Sequence, residues 1–551
     1  MNELVPLPVL LPLCATGLSL AFGTRLKQVQ RLISVAVLTA VLGLSVALMI
    51  AADRHGPLAV HLGDFAPPIG ITLVADRLSG LMLTVSSAIT LCVLIYSLGQ
   101  GMADRDEETP VAIYHPAYLI LVAGVSCTFL AGDLVNLFVG FEIMLVASFV
   151  LLTLGGTGPR VRAGSTYVIV SLLSSMLFLT AIAMTYAATG TANFAQLAGR
   201  LAQLPLGVQI LIQTMLLTVF AIKAAVFPLA AWLPDSYPTA PAPVTAVFAG
   251  LLTKVGVYCM LRTETLLFPG NRLGDLLMAA ALASMVIGIL GAVAQTDLKR
   301  LLSFTLVSHI GYMVFGIGLA TRDAYSGAIV YVAHHITVQT TLFLTTGLIE
   351  RRSGTTELTR IGGLARAAPL LAVLFFVPAM NLAGIPPLSG FIGKLGLMRA
   401  GVADGGAWAW LLVTGSAVTS LLTLYVVAKV WNLAFWRAAP PGQAAAGTLL
   451  EAGPDEEDAD IDTGPDHIPG SGDESVRQRH QPAGRAVAAT LHGHAVTTTT
   501  HLPRPMTAAT AAAVALGLAF TVFAGPLTSY TNRAAVELLT RSPYTEAVFN
   551  P

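Results

Sequence analysis

The chain has 551 residues, 55% of them hydrophobic and only 11% charged, with 30 basic residues balancing 30 acidic ones. An ordinary soluble domain carries about 25% charged residues, so the mean hydropathy of +0.75 places most of this chain inside a bilayer. Zero net charge without a basic run excludes a nucleic-acid binder, and the apolar bulk excludes a soluble enzyme or a disordered scaffold.

A membrane-crossing helix needs about 20 apolar residues. Taken in order, apolar segments fall near 4–22, 32–51, 78–99, 115–131, 134–154, 164–188, 207–231, 241–261, 273–294, 303–319, 325–349, 368–398, 407–436 and 505–530. The expected fold is therefore an all-α integral membrane protein of about 14 transmembrane helices. The first segment follows Glu3 with no basic n-region and is expected to be retained as a helix. An even number of crossings puts both termini on one side. The arginine excess in the loops around 25–31, 160–162, 351–366 and 437–504 places the termini outside. Residues 438–503 are rich in Asp, Gly, Pro and Ser without periodicity, and read as a disordered cytoplasmic insert. Its histidines His492, His494 and His501 are expected to be solvated.

The four cysteines, Cys14, Cys92, Cys127 and Cys259, lie in separate apolar stretches with no metal-ligand spacing. No Gly-rich dinucleotide fingerprint follows a strand pattern either. No metal and no cofactor is expected.

The charges inside the apolar segments carry the functional signal. Of six lysines, Lys27 and Lys299 fall in loops, whereas Lys223, Lys254, Lys394 and Lys429 fall inside predicted spans. The arginines fall at loops or segment ends. A charge at the bilayer centre costs about 2.5–3.5 kcal/mol, so four such lysines need a reason. A desolvated lysine can load and release a proton near neutral pH, whereas arginine stays protonated. Glu142 is the acidic counterpart, nine residues past Asp133 and so about 13 Å further along the helix. An ion pair between Glu142 and a span lysine is the economical expectation, with Lys223 the partner. For Lys429, snorkelling to the interface competes with function. His309, His334 and His335 extend the polar line; adjacent histidines on a helix diverge by about 100°, so His334 alone is expected on the path. Prolines fall beside two lysines: Pro228 follows Lys223, while Pro386 and Pro387 precede Lys394. Such breaks free backbone carbonyls that can line a polar path, and two of them point to two inverted repeats, each with a broken helix.

Three motifs then carry a resemblance. Residues 232–244 read WLPDSYPTAPAPV and continue to GLLTKVGVY at 250–258; 295–303 read QTDLKRLLS; 384–391 read GIPPLSGF. They resemble the proton-antiporter family, which comprises Mrp-type cation/proton antiporter subunits and the antiporter-like membrane subunits of respiratory complex I. The wording is most similar to the D-type Mrp subunits. The resemblance implies that Glu142 and Lys223 form a switching pair, that Lys254 is a central relay, that His334 lies on a broken eleventh helix, and that Lys394 is the terminal proton site. It implies as partners the other subunits of a hetero-oligomeric Mrp complex in a bacterial plasma membrane, with protons and Na+ (or Li+ or K+) as cargo. It also implies helices 1–3 over 1–114, a first repeat over 115–261, a second over 262–437, the insert, and a last helix within 504–551. Gln339 stands where many relatives carry a lysine, and cannot titrate. The alternative is a proton-pumping membrane subunit of an NADH:quinone oxidoreductase or a related hydrogenase; in neither case would the chain itself be a redox enzyme.

Overall fold

The computed structural model describes residues 2–22, 26–100, 111–438, 488–491, 494–497 and 502–550. Most of the 438–503 insert lies outside them; within it, Ala488–Leu491 and His494–Thr497 pair as an antiparallel hairpin. Among the described residues, thirteen helices are long and apolar enough to cross a membrane.

The helices are α1 Leu7–Phe22, α2 Lys27–His55, α3 Arg77–Gln100, α4 Val111–Leu130, α5 Leu134–Thr153, α6 Gly158–Thr189, α7 Phe194–Arg200 and α8 Leu206–Ala224. After the short α9 Leu233–Ser236 come α10 Ala242–Val247 and α11 Thr253–Arg262, joined through a π-helical turn, Phe248–Leu252, and extended by a second, Thr263–Leu267. Then follow α12 Gly274–Ala294, α13 Leu298–Leu319, α14 Arg322–Ser353, α15 Leu364–Ala367, α16 Pro369–Ala383, α17 Ser389–Asp404, α18 Ala407–Val430, α19 Arg504–Val522, α20 Ala524–Thr540 and α21 Ser542–Phe549.

Several expected boundaries move, each for a physical reason. The 207–231 segment stops at Ala224, because Ala225 turns left-handed (φ 58°) ahead of Pro228. The 368–398 segment divides into α16 and α17 at Gly384 (φ 85°) and the Pro386-Pro387 pair. The 241–261 segment runs on to Leu267. The eleventh helix, expected to be broken, is continuous in α14: no proline interrupts it, and Thr337, Thr340 and Thr341 return their hydroxyls to carbonyls four residues back.

Helix α14 is the axis of the bundle, buried from Ala324 to Ile349 among α3, α10, α13, α16, α17, α19 and α20. It is also polar, carrying His334, His335, Thr337, Gln339, Thr340, Thr341, Thr345 and Thr346. The periphery is the reverse: Leu173, Met176 and Leu421 stand about two-thirds exposed on α6 and α18. In a bilayer, polar groups collect inside because lipid offers them no hydrogen bonds.

Two corners of the chain match. Asp133 caps α5 by accepting from Asn136 N (2.6 Å) and forms a β-bridge with Asn193, the cap of α7. Asp297 caps α13 by accepting from Arg300 N (2.9 Å) and bridges Glu357. Five crossings separate the two corners, so they sit at opposite ends of the bundle.

One arginine departs from expectation. Arg262 is buried within the Ala242–Leu267 span, 4% exposed, where its guanidinium bonds the Asp76 carboxylate at 2.6 Å and faces the Tyr544 ring at 5.0 Å. It ties the α11 end to the start of α3 and to the C-terminal helix. Arg262→Leu would leave the buried Asp76 carboxylate without its cation, with only Ser79 donating to it, a cost of about 3–5 kcal/mol. Thermal unfolding of the detergent-solubilised protein should show a lowered midpoint, partly recovered when Asp76→Asn is added.

Candidate functional site

The site grows from helix interruptions that supply acceptors to buried ammonium groups. Lys394, on the first turns of α17, is 3% exposed and reaches back across the break. Its Nζ donates to the carbonyls of Leu382 (3.1 Å) and Ala383 (3.0 Å), the last residues of α16. A helix end leaves its final carbonyls unpaired and negative, so a cation there is favoured. The Tyr312 ring covers the other side at 5.0 Å.

Lys254 is fully buried, and its Nζ donates to the Ala249 carbonyl at 2.5 Å, inside the π-helical turn. A π turn breaks the regular i→i−4 pairing and recurs at functional sites. Gly250 is required there by close approach: a Cβ would meet the Thr340 hydroxyl of α14 at 2.0 Å.

Beside Lys394 lies a closed cluster of rings. His309 Nδ1 shares a 2.6 Å hydrogen bond with the Tyr331 hydroxyl. The His309 ring stands 5.3 Å from that of His335, and Tyr331 stands 5.5 Å from His334 and 6.2 Å from His335. Tyr312 packs on Tyr331 at 5.3 Å, completing the approach to Lys394. His334 Nδ1 bonds Ser389 Oγ at 3.0 Å, and Ser389 in turn meets Asn381, whose Oδ1 accepts from Gly390 N at 2.8 Å. His334 Nε2 and both ring nitrogens of His335 have no partner among the described residues. Such orphaned buried nitrogens are places for water or a transferred proton. Gly390 is the second glycine that geometry requires, since a Cβ would lie 2.0 Å from the Asn381 carbonyl and 3.0 Å from the His334 ring.

Both adjacent histidines, of which His334 alone was expected on a path, pack on the Tyr331 ring, which shares their helix face at i−3 and i−4. That spacing, with Tyr312 three residues past His309, is a signal the sequence held and the histidine count missed. Gln339 is buried and donates to the Leu302 carbonyl of α13 (2.8 Å), while its Oε1 has no protein partner.

Lys223 lies in the last turn of α8, beside the break. The expected contact with Glu142 is absent: no ion pair within 4.0 Å joins them among the described residues, and Glu142 Oε1 has no hydrogen-bond partner. The Phe141 ring instead stands 5.5 Å from Lys223 Nζ, taking the place of the carboxylate. Lys223 lines a cavity of about 30 Å³ with Phe141, Tyr167, Trp232 and Tyr237, room for a water or two. Trp232 closes the break by donating its indole N–H to the Ile222 carbonyl (3.2 Å), and Thr245 pins the proline-rich turn through the Tyr237 carbonyl (2.8 Å). The prolines themselves, Pro228, Pro386 and Pro387, face outward.

Lys429 stands apart from this line. Its Nζ donates to the carbonyls of Val293 (2.9 Å) and Gln295 (2.8 Å), capping the C-terminal end of α12. Half-buried there, it has no contact with the histidine cluster among the described residues. Lys299, expected in a loop, opens α13 and pairs with Glu350 at 2.8 Å.

The fold defines a polytopic helical membrane protein whose broken helices hold lysines against bare carbonyls. The family described as "NADH:quinone oxidoreductase/Mrp antiporter, TM" matches residues 131–422. The D-type Na(+)/H(+) antiporter subunit of Alkalihalophilus pseudofirmus is 41% identical over 440 residues, covering 79% of this chain and 87% of that one. Its counterpart in Bacillus subtilis, of the same name, is 35% identical over 439 residues, with the same coverage. This chain belongs to the proton-antiporter family shared by Mrp antiporters and complex I. Among solved structures, the Mrp complex from Dietzia sp. DQ12-45-1b holds a chain that matches over the full length of both, with a TM-score of 0.84 at 30% identity. The respiratory complex I of Thermus thermophilus shares the fold, with a TM-score of 0.72 over 97% of this chain and 99% of its own at 23% identity.

As a helix cap, Lys429 should contribute about 1 kcal/mol to stability. Lys429→Met should lower the unfolding midpoint of the solubilised protein and Lys429→Arg should restore most of it, because either cation can bond the α12 carbonyls.

Proposed function

We propose that the chain is the proton-translocating D-type member of a multisubunit monovalent cation (Na+)/H+ antiporter, assembled with other subunits in a bacterial plasma membrane with both termini outside. The similarity to D-type antiporter subunits at 41% identity favours this reading over a quinone-reducing complex, whose members share the fold at lower identity. The observation that carries it is the buried cluster of His335, His309, Tyr331 and His334 beside Lys394, whose neighbouring rings stand 5.3–6.2 Å apart, with Lys254 buried next to the π turn that packs on α14. Gaps of this size are bridged by side-chain motion or single waters.

Protons pass through this cluster between Lys254 and Lys394. Gln339 takes no part in transfer and holds α13 against α14. Lys223, at the other break, is the switch. Glu142 swinging toward it past Phe141 holds a proton on the ammonium, and withdrawal releases that proton to the cavity under Trp232. The matching corners at Asp133 and Asp297 support two inverted halves, each contributing one broken helix and one lysine at its break. Cation movement is coupled electrostatically, because each proton loaded changes the affinity of its neighbours.

The test uses everted vesicles holding the complete complex, energised and followed with a pH-sensitive fluorescent amine as NaCl is added. Sodium should collapse the gradient in wild type and fail to do so with Lys254→Ala. Glu142→Ala and Lys223→Ala should also abolish exchange while the complex still assembles. An assembled Lys254→Ala complex exchanging at the wild-type rate would remove that lysine from the route.

A further inference from the structure

The proposed route ends at Lys254 with no described exit toward the end of the bundle where both termini lie. Ten residues further along the same continuous helix, about 15 Å along its axis, stands Glu264. It is 5% exposed, and the exposed Pro269 lies only five residues beyond, about 8 Å. Glu264 therefore sits between the last lysine and the surface.

Its surroundings are those of a carboxyl that carries a proton. No cation lies within 4.0 Å of it among the described residues. Arg262 is committed to Asp76, Arg272 to Gln209 Oε1, Arg541 to the Leu266 carbonyl, Arg200 to the Thr189 carbonyl, and Arg77 to Glu537 and Asp53. The one hydrogen-bond partner found is Gln213 of α8, whose Nε2 reaches both carboxyl oxygens at 3.1 and 2.9 Å. Gln213 Oε1 is buried with no partner among the described residues. A proton on Glu264 supplies that missing donor: the O–H donates to Gln213 Oε1 while the amide N–H keeps the other oxygen, a cyclic acid–amide pair with every group satisfied. A permanently ionised carboxylate leaves the amide oxygen stranded and its own charge unpaired.

Gln213 also lies ten residues before Lys223 on α8, as Glu264 lies ten after Lys254. The acid–amide pair thus joins the two lysine-bearing helices at one level. The Thr263–Leu267 segment around it is π-helical, like the turn that holds Lys254.

We propose that Glu264, positioned by Gln213, is the proton-exchange carboxyl between Lys254 and the terminal end of the bundle. This rests on the antiport reading. In one direction a hydrated proton at that end passes to the Glu264 carboxylate, giving a neutral acid and water. The acid then passes its proton through intervening water to the Lys254 amine, restoring the carboxylate; the reverse sequence releases a proton outward.

The experiment compares wild type, Glu264→Gln, Glu264→Asp and Lys254→Ala in the complete complex, by sodium-driven pH-gradient collapse and by infrared difference spectra between acid and alkaline buffer. The expected result is a carboxylic acid C=O band in wild type that is lost in Glu264→Gln together with exchange, and displaced in Glu264→Asp with slower exchange. Glu264→Gln fills the same volume and keeps an amide-compatible partner; should it not assemble, Glu264→Asp decides through its band. A band unchanged in the variants overturns the proposal, as does full exchange in Glu264→Gln while Lys254→Ala is inactive. Full exchange in Lys254→Ala would instead overturn the relay itself.

Discussion

A buried ammonium group needs oxygen acceptors, and an intact helix has none to spare. The structure meets that demand by interrupting helices where the lysines stand. Lys394 takes two carbonyls from the end of α16, Lys254 takes one from a π turn, and Lys429 takes two from the end of α12. The same bond has two uses: at α12 it fastens a helix end, and at the two interior sites it holds a fully enclosed cation, Lys394 against the Tyr312 ring. Carbonyls are neutral, so an ammonium held by them can lose its proton without stranding a buried carboxylate. Lys299, paired with Glu350, shows the contrasting arrangement, in which charge is fixed by charge.

That constraint orders the rest of the bundle. The carbonyl acceptors come from the helices around α14, so the polar residues gather on α14 itself and apolar side chains turn outward. Close approach between the helices is then obligatory, which is why Gly250 and Gly390 lack side chains where Thr340 and His334 press against them. Lys223 is the exception in having no carbonyl found for it. It faces the Phe141 ring and a small cavity. An ammonium with fewer fixed acceptors is the one whose state a moving carboxylate can control, which suits a switch better than a relay.

Much of this was legible in the chain itself. Hydropathy located the helices, because about 20 apolar residues in a row have few other fates. Lysines segregated into spans, and prolines beside two of them, marked the breaks. What one dimension hid was contact. A buried carboxylate's need for a cation suggested a Glu142–Lys223 ion pair, but no bond joins the two among the described residues, and the ring of Phe141 stands 5.5 Å from the ammonium. Divergent directions for His334 and His335 suggested that one was idle, yet Tyr331 on the same face reaches both. Arg262 read as a loop residue because Asp76, its partner, lies far away in the chain. Glu264 passed unnoticed for a related reason: its significance depends on Gln213 and on an orphaned amide oxygen that only packing reveals. Lys429 looked like its fellow lysines, and only the α12 carbonyls distinguish its role.

The central claim is that Lys254 and Lys394 change protonation within the working range while Lys299 and Lys429 do not. With six lysines in the chain, nitrogen NMR of the complex with 15N-labelled lysine side chains, assigned by difference with single Lys→Arg variants, reads each ammonium directly. The account predicts that the Lys254 and Lys394 signals move between ammonium and amine across the pH range in which exchange operates, with Lys299 and Lys429 remaining ammonium throughout. Ammonium signals at Lys254 and Lys394 that never change across that range would contradict it.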